Sequence, residues 1–175
     1  LKNIKTDMVF CPNHEDLYKF EKPFHLELNG LDQTLEGSHR KGHFDGVLRV
    51  VNLFFSLINP NYVYFGEKDY QQYLIINELC KKYYPSIGVI PCPTVRETSG
   101  LAKSSRNSRL TEKQRSKAAK IFKVLSFCKN QFKISNSKEL ESICFKMISE
   151  FSDPEYFKIR NTTTLSSEII GNEKY

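Results

Sequence analysis

The stretch between residues 45 and 92 constrains the fold most, because amphipathic helical patterns alternate there with short β-rich runs. Apolar side chains recur every three or four residues over 47–58 and again over 73–83. Strand-forming residues dominate 62–65 and 87–92. Helix and strand alternating at this spacing are typical of right-handed crossovers, so we predict a doubly wound, Rossmann-like α/β fold with a parallel sheet.

The other elements are predicted from weaker local signals. Asp45 is the predicted N-cap of the first long helix, and Asn59 with Pro60 ends it. The predicted elements before residue 94 are a buried strand at 6–11, a weaker strand at 24–28, helices at 45–58 and about 69–82, and strands at 62–65 and 87–92.

Beyond Pro93 the sequence becomes polar and basic, so we place a domain boundary near residue 94. Thr111 and Gln114 form a possible capping box for a helix that runs to about residue 128. An amphipathic helix is predicted around 140–151 and a strand at 159–165. We therefore predict a partial sheet domain, 1–94, and a small α+β domain, 95–175.

Composition excludes a disordered chain and a spanning helix. The chain has 175 residues, of which 39% are hydrophobic, and its apolar runs are far shorter than the roughly 20 residues a membrane helix needs. Five cysteines without a CxxC pair indicate reduced thiols, which we interpret as small core residues. We expect a soluble cytoplasmic protein. Because the chain opens at Leu1 and enters a strand pattern at once, we expect it to begin inside a domain.

The net charge of +6 is concentrated in the middle of the chain. Residues 101–133 carry ten basic side chains and one acidic side chain. A block of this kind is compatible with a solvated helix face, a nucleic-acid surface or a site for a small polyanion such as a nucleotide, and composition does not choose among them.

The first candidate site follows the 62–65 run, where Gly66 leads into a helix. Free amides and the helix dipole favour an anion there, and Lys68 adds a full positive charge. Gln72, one turn into the helix, could hydrogen-bond a second ligand. The alternative is an ordinary surface turn with solvated charges.

The second candidate lies in the basic block. Two hydroxyls and two cations in four residues, Lys103, Ser104, Ser105 and Arg106, could surround a triphosphate. The alternative is a mobile basic interdomain loop or a phosphorylation site.

The third candidate is a glycine-punctuated loop over 35–46, in which Arg40 and His43 could bind a carboxylate. No Cys/His set has the spacing of a zinc site, and no GxSxG motif is present.

Together these three stretches resemble the pantoate–β-alanine ligase (pantothenate synthetase) family of the nucleotidyltransferase superfamily. The resemblance is carried by LEGSHRKGHFDGV, FGEKDYQQ and PTVRETSGLAKSSRN, which begin at Leu35, Phe65 and Pro93. It implies an ATP- and Mg²⁺-dependent cytoplasmic enzyme of the coenzyme A pathway that condenses pantoate with β-alanine through a pantoyl adenylate, releasing pyrophosphate and AMP. It also implies a homodimer and no membrane or nucleic-acid partner.

The resemblance also implies roles for single residues. Gln72 corresponds to the glutamine that holds pantoate, Val95 to the position whose backbone meets adenine, and Arg40 and His43 to the cavity lining. The implied ATP-contacting residues are Gly66, Glu67, Lys68, Asp69, Val95, Lys103, Ser104, Ser105 and Arg106. Of these, Lys68, Ser104, Ser105 and Arg106 are expected to act in catalysis, by neutralising the charge that builds on the phosphates.

The sequence departs from the family pattern in three ways. Lys41 replaces a usual proline, and Lys103 replaces a hydrophobic residue that is often methionine. The family's amino-terminal HxGH motif, which supplies the proton donor, is absent, and no histidine of this chain stands in such a motif. We therefore expect a piece of the enzyme, the second half of the ATP domain plus most of the small carboxy-terminal lid, that is nearly inactive alone.

Two other functions stay open from the sequence. One is a basic RNA-binding module in which residues 101–133 follow a phosphate backbone. The other is a different adenylate-forming ligase on the same scaffold.

Overall fold

The computed structural model describes residue 3, residues 5–132 and residues 136–167. Its elements, in chain order, are α1 His14–Tyr18, α2 Glu36–His39, α3 His43–Ile58, β1 Tyr62–Gly66, a 3₁₀ helix Glu67–Asp69, α4 Tyr70–Tyr83, β2 Gly88–Cys92, a 3₁₀ helix Ser105–Arg109, α5 Glu112–Gln131 and α6 Ser137–Ser149.

The sheet confirms the predicted α/β class with parallel strands. β1 and β2 pair in parallel, in a register that runs from Tyr62 opposite Gly88 to Gly66 opposite Cys92, and α4 connects them. Val63 and Phe65 point from β1 towards the helices, while the alternate residues of the strand are exposed. The β1–α4–β2 unit is therefore one crossover of a doubly wound sheet.

A first apolar cluster fills the space between this sheet and its two long helices. Ile75, Ile76 and Leu79 of α4 are fully buried in it. The buried members of the cluster are Leu28, Leu31, Phe44, Leu48, Phe55, Leu74, Ile75, Ile76, Leu79, Cys80, Ile87 and Leu165.

The start of α3 differs from the prediction. The helix begins at His43 and its N-cap is Gly42, so Asp45 lies inside the first turn and the predicted cap was wrong. Gly42 has φ +74°, a left-handed conformation that glycine adopts without a Cβ clash. The predicted end is confirmed, since Asn59 caps α3 and its N–H bonds to the carbonyl of Phe55.

The predicted strands at 6–11 and 24–28 were wrong. Neither segment pairs with another strand in the described part of the chain. Met8 and Phe10 are 83% and 51% exposed, whereas Leu28 is buried in the first cluster without joining the sheet. An apolar run supplies the side chains of a strand but not the neighbouring strand that must accept its hydrogen bonds.

A second apolar cluster holds α5 and α6 together. The capping box predicted at Thr111 and Gln114 is confirmed at the start of α5. The buried members of the cluster are Val124, Cys128, Leu140, Cys144, Ile148 and Phe157.

The strand predicted at 159–165 was also wrong, because a turn occupies this segment. The side-chain oxygen of Asn161 accepts hydrogen bonds from the backbone N–H groups of Thr163 and Thr164, which is a local alternative to strand pairing. Leu165 then returns to the first cluster, so the chain after α6 contacts both clusters.

The cysteines match their predicted role only in part. Cys80, Cys128 and Cys144 are buried, whereas Cys92 is half-buried and Cys11 is exposed. Burial raises the pKa of Cys80 to about 11 and that of Cys144 to about 12. Among the described residues, no helix is long and apolar enough to cross a membrane.

Candidate active site

The turn after β1 places the first candidate residues at the carboxyl end of a parallel strand. Gly66 ends β1, the 3₁₀ helix Glu67–Asp69 follows, and α4 starts at Tyr70. Lys68 is well exposed, with its Nζ 3.2 Å from Oδ1 of Asp69. Parallel α/β sheets bind ligands at this edge, so the turn lies where an anionic ligand is expected.

The segment after β2 leaves from the same edge. Gly66 is opposite Cys92 in the register. Val95 follows Cys92 by three residues, so the Cα atoms of Cys92 and Val95 are at most about 10 Å apart. The N–H of Lys103 donates to the carbonyl of Val95 at 2.9 Å, and Arg96 and Ala102 form an antiparallel bridge. The chain therefore doubles back and begins the basic loop 103–106 beside Val95.

The basic loop borders an open cavity. Ser104 caps the 3₁₀ helix Ser105–Arg109, and its Oγ accepts from the N–H of Arg106 at 3.2 Å. Within the described chain, neither Lys103 nor Arg106 forms an ion pair, and of these two only Lys103 lines the cavity. The cavity, about 560 Å³, is lined by Glu97, Lys103, Ser104, Ser105, Asn107, Ser108 and Arg115.

An ion pair that sequence reasoning missed ties this loop to α5. Both oxygens of Glu97 accept from Nη2 of Arg115 at 2.8 Å, and Nη1 of Arg115 donates to the carbonyl of Asn107 at 3.3 Å. The partners are 18 residues apart, so no local spacing links them. The one sequence signal for this ion pair was the position of Glu97, an acidic residue just before the basic block 101–133.

A second contact holds the segment just before the basic loop against α5. The guanidinium of Arg96 lies 4.0 Å from the ring centre of Phe122 on α5, and its Nη1 donates to the carbonyl of Gly100. Gly100 has φ +90°, and a Cβ there would approach Phe122 to 2.9 Å. The doubled-back segment and α5 thus form one packed unit.

Gln71, another residue missed from the sequence, holds the third candidate loop against α4. Its side chain is buried, donates to the carbonyls of Leu31 and Thr34 at 2.6 and 2.8 Å, and accepts from the N–H of Glu36 at 3.1 Å. This amide therefore fixes the path of the chain into α2.

The remaining candidates lie on this loop and on α4. Gln72 is half-buried, and its side chain makes no hydrogen bond to another described residue. Arg40 is exposed, 3.8 Å from Oε2 of Glu36, and the ring of His43 lies 5.1 Å from that of Phe44. Of the predicted site residues, Lys103, Ser104 and Ser105 line the cavity. The others do not line it: Arg40, His43, Gly66, Glu67, Lys68, Asp69, Gln72, Val95 and Arg106.

The segment after α6 contacts the third candidate loop, 35–46. The hydroxyl of Tyr156 donates to Oε1 of Glu36 at 2.7 Å, and the His39 ring stacks on the Tyr156 ring with centres 5.0 Å apart. The pKa of the Tyr156 hydroxyl is raised, mainly by burial and secondly by its hydrogen bond to Glu36. The hydroxyl of Tyr70 also donates to the carbonyl of Thr162 at 3.0 Å. The carboxy-terminal segment is therefore fastened to both the loop and α4.

The parallel β1–α4–β2 unit defines an α/β protein of the doubly wound class. A lysine-bearing glycine turn follows its first strand, and a basic loop with two serines follows its second. Comparison with known families gives the particular membership. The family model described as pantoate-beta-alanine ligase matches residues 1–174, and the chain belongs to that family.

Curated relatives agree with this membership. Pantothenate synthetase of Legionella pneumophila (strain Corby) is 41% identical over 155 residues, which are 89% of this chain and 62% of the relative. The enzyme of Bdellovibrio bacteriovorus is 37% identical over 151 residues, covering 86% of this chain and 60% of that protein. The chain thus spans about three fifths of the length of these relatives.

Solved structures show the same fold. Pantothenate synthetase from Thermus thermophilus matches 98% of this chain and 64% of its own chain, with 32% identity and a TM-score of 0.84. Pantoate-beta-alanine ligase from Francisella tularensis, complexed with beta-gamma ATP and beta-alanine, matches 83% of this chain and 54% of its own, with 36% identity and a TM-score of 0.68.

Proposed function

We propose that this chain forms part of an ATP-dependent ligase that joins pantoate to β-alanine and yields pantothenate, AMP and pyrophosphate. The observation that carries the proposal is the hydrogen bond from Lys103 to Val95, which brings the basic loop back towards the edge at which the Lys68 turn lies. The Francisella tularensis relative, solved with a nucleotide and β-alanine, supports the same ligands here.

In the first proposed step, the carboxylate of pantoate attacks the α-phosphorus of ATP and pyrophosphate leaves. Lys68, Ser104, Ser105 and Arg106 neutralise the charge that develops on the phosphates. Gln72 holds pantoate, with Arg40 and His43 lining the cavity, and the backbone of Val95 meets adenine. No covalent enzyme intermediate is needed, because positioning and charge stabilisation supply the rate.

In the second step, the amine of β-alanine attacks the acyl carbon of the pantoyl adenylate. The C–N bond forms as the bond from that carbon to the phosphate oxygen breaks, so AMP leaves and the amine loses a proton. Adenylation is required because a carboxylate without activation is a poor acyl donor.

The proposed Mg²⁺ would neutralise phosphate charge. Mg²⁺ is usually held by one or two carboxylates together with substrate phosphates. The exposed carboxylate of Asp69, beside Lys68 on the turn, fits such a partial ligand set. In the described residues, no group of three or more His, Cys, Asp or Glu side chains could hold a metal by itself.

We further propose the division into an ATP and pantoate domain, 1–94, and a lid, 95–175, which closes on the nucleotide. The chain alone is proposed to be nearly inactive, since the HxGH motif of the family is absent from its sequence. The complete enzyme is proposed to be a cytoplasmic homodimer.

Calorimetric titration with ATP, ADP and a short RNA of matched charge tests the nucleotide site. We expect saturable binding of ATP to the purified 175-residue chain, weakened by Arg106→Ala but not by Lys129→Ala, a basic control on α5 outside the loop. Tighter RNA binding that falls steeply with salt would instead favour the RNA-binding alternative.

Two activity assays address the reaction itself. Pantothenate formation by the purified chain should be close to background, and substantial turnover would contradict the proposed inactivity. Pyrophosphate–ATP exchange by a family-length protein that carries this sequence should require pantoate. Support by another carboxylic acid would indicate a different adenylate-forming ligase.

A further inference from the structure

The cavity beside the basic loop contains a carboxylate as well as a cation. Glu97 lines it together with Lys103, Ser104 and Ser105. A negative side chain repels a polyphosphate, so the charge of Glu97 opposes the binding of such a ligand in this cavity. Any contribution of Glu97 to a phosphate site must therefore come from the groups that it holds in place.

Glu97 is linked to the basic loop through Arg115. Both carboxylate oxygens accept from Nη2 of Arg115 at 2.8 Å, and Nη1 of the same guanidinium donates to the carbonyl of Asn107 at 3.3 Å. The guanidinium is planar and rigid, so it fixes the position of the Asn107 carbonyl relative to Glu97. The Arg115 and Glu97 side chains are 38% and 29% exposed, so the pair is partly shielded from water.

Asn107 in turn closes the basic loop. Its Nδ2 donates to the carbonyl of Ala102 at 2.9 Å, and its N–H donates to the carbonyl of Ser104 at 3.1 Å. Ala102 and Asn107 flank the four residues 103–106, so these bonds hold the two ends of the loop together. The contact between Arg115 and Asn107 therefore anchors the whole loop to α5.

We propose that Glu97 and Arg115 are positioning residues that hold the loop 103–106 in the conformation that binds a chain of phosphates. The hydroxyls and the ammonium of the loop contact the ligand, and Glu97 acts only through Arg115. This inference rests on the proposed function and deepens it. A loop that is ordered before the ligand arrives avoids part of the entropic cost of binding.

A role in positioning and a role through charge predict opposite effects of Glu97→Ala. If charge alone matters, removal of a carboxylate from the cavity strengthens the binding of an anion. If Glu97 holds Arg115 and the loop, the same change weakens binding, although the cavity becomes more positive. The direction of the change in affinity therefore separates the two roles.

Titration calorimetry with ATP and with inorganic tripolyphosphate, on the purified 175-residue chain, tests the proposal. Glu97→Ala should raise the dissociation constant of both ligands about fivefold to tenfold. Arg115→Lys keeps the charge but loses the two-pronged geometry, so it should have a similar effect. The control is Glu112→Ala, which removes an exposed carboxylate of α5 outside the cavity and should change either constant by less than about twofold.

Hydrogen exchange on the free chain gives a second readout that needs no ligand. The N–H groups of Lys103 and Asn107 are hydrogen-bonded to the carbonyls of Val95 and Ser104. Both should exchange at least about fivefold faster in Glu97→Ala and Arg115→Lys, while the amides of α6 keep the rates of the parent. An equal acceleration in α6 would show a general loss of stability and contradict a positioning role.

The results separate this proposal from the proposed function. Tighter binding of either ligand by Glu97→Ala would overturn the positioning role, and so would affinities and exchange rates equal to those of the parent in both variants. If tripolyphosphate binds and weakens as expected but ATP does not bind, the positioning role stands and the nucleotide function fails. Absence of binding of both ligands to the parent chain would overturn both proposals.

Discussion

Gln71 and Gln72 are adjacent in the sequence but differ in environment. The Gln71 amide is buried and makes three hydrogen bonds to the loop before α2, whereas the Gln72 side chain makes none within the described chain. A helix directs successive side chains about 100° apart, so neighbouring residues can serve structure and ligand separately. At the residue scale, burial thus assigns one glutamine to the fold and leaves the other for the proposed pantoate contact.

Gln71→Ala should destabilise the chain by about 2–3 kcal/mol, because buried loop groups lose their partners. Gln72→Ala is the matched control and should change the free energy of unfolding by less than about 0.5 kcal/mol. Urea denaturation measures both values. In a family-length protein, Gln72→Ala should weaken pantoate binding and leave ATP binding largely unchanged, and equal weakening of both would indicate a fold defect.

Lys68→Ala should weaken ATP binding by about 2 kcal/mol, or roughly 30-fold, through loss of a charge-assisted phosphate contact. The adenylation step of a family-length protein should slow by a similar factor. Its exposed pair with Asp69 contributes little to stability, so unfolding should be nearly unchanged. Lys81→Ala, at an exposed lysine paired with Glu78, is the control. Calorimetry that gives equal ATP affinities for both variants would remove Lys68 from the site.

At the element scale, the predictions succeeded where the signal was local. The capping box of α5, the Asn59 cap and the run that became β1 depend on neighbouring residues, and the structure contains all three. The strands predicted at 6–11 and 159–165 failed because a strand requires a partner, and single-sequence patterns do not reveal whether one is present.

Tyr156→Phe tests the contact between the carboxy-terminal segment and α2. Loss of the hydrogen bond to Glu36 should cost about 1 kcal/mol at pH 7. Tyr64→Phe, at an exposed tyrosine on β1, should cost almost nothing. Urea denaturation curves of the parent and both variants at the same pH give the comparison, and equal losses at the two positions would contradict the assigned role of Tyr156.

The same contact predicts a dependence on pH. The pKa of Tyr156 is raised above 10.0, its ordinary value, so the folded state favours the neutral phenol. Its contribution to stability is therefore complete below about pH 10 and is lost as the pH rises through the raised pKa. The stability difference between the parent and Tyr156→Phe should narrow above that pH, and a constant difference would argue against the bond.

For the whole molecule, the sequence predicted the βα crossover but not the contacts between distant segments. Lys68 and the loop 103–106 could be singled out as candidates, because each lies within one short segment. It could not show that Glu97 pairs with Arg115, that Gln71 holds the 31–36 loop, or that Leu165 enters the first cluster. Those contacts join segments far apart in the chain and arise only from packing.

Leu165→Ala should lower the free energy of unfolding by about 2–4 kcal/mol, as expected for a buried leucine. Hydrogen exchange should show faster exchange in α4, because Leu165 packs in the first cluster. Phe157→Ala, in the second cluster, should instead affect α5 and α6. Faster exchange in α5 and α6 for Leu165→Ala, or in α4 for Phe157→Ala, would contradict the assignment of these residues to the two clusters.

The return of the chain between Phe157 and Leu165 restricts how α5 and α6 can move. Their cluster is joined to the sheet once after β2 and again through this returning segment. A rigid body attached at two points rotates most easily about the line through both, so its motion approximates a single degree of freedom. In the proposed closure of the lid, residues 103–106 would then follow one arc and arrive in the same orientation every time.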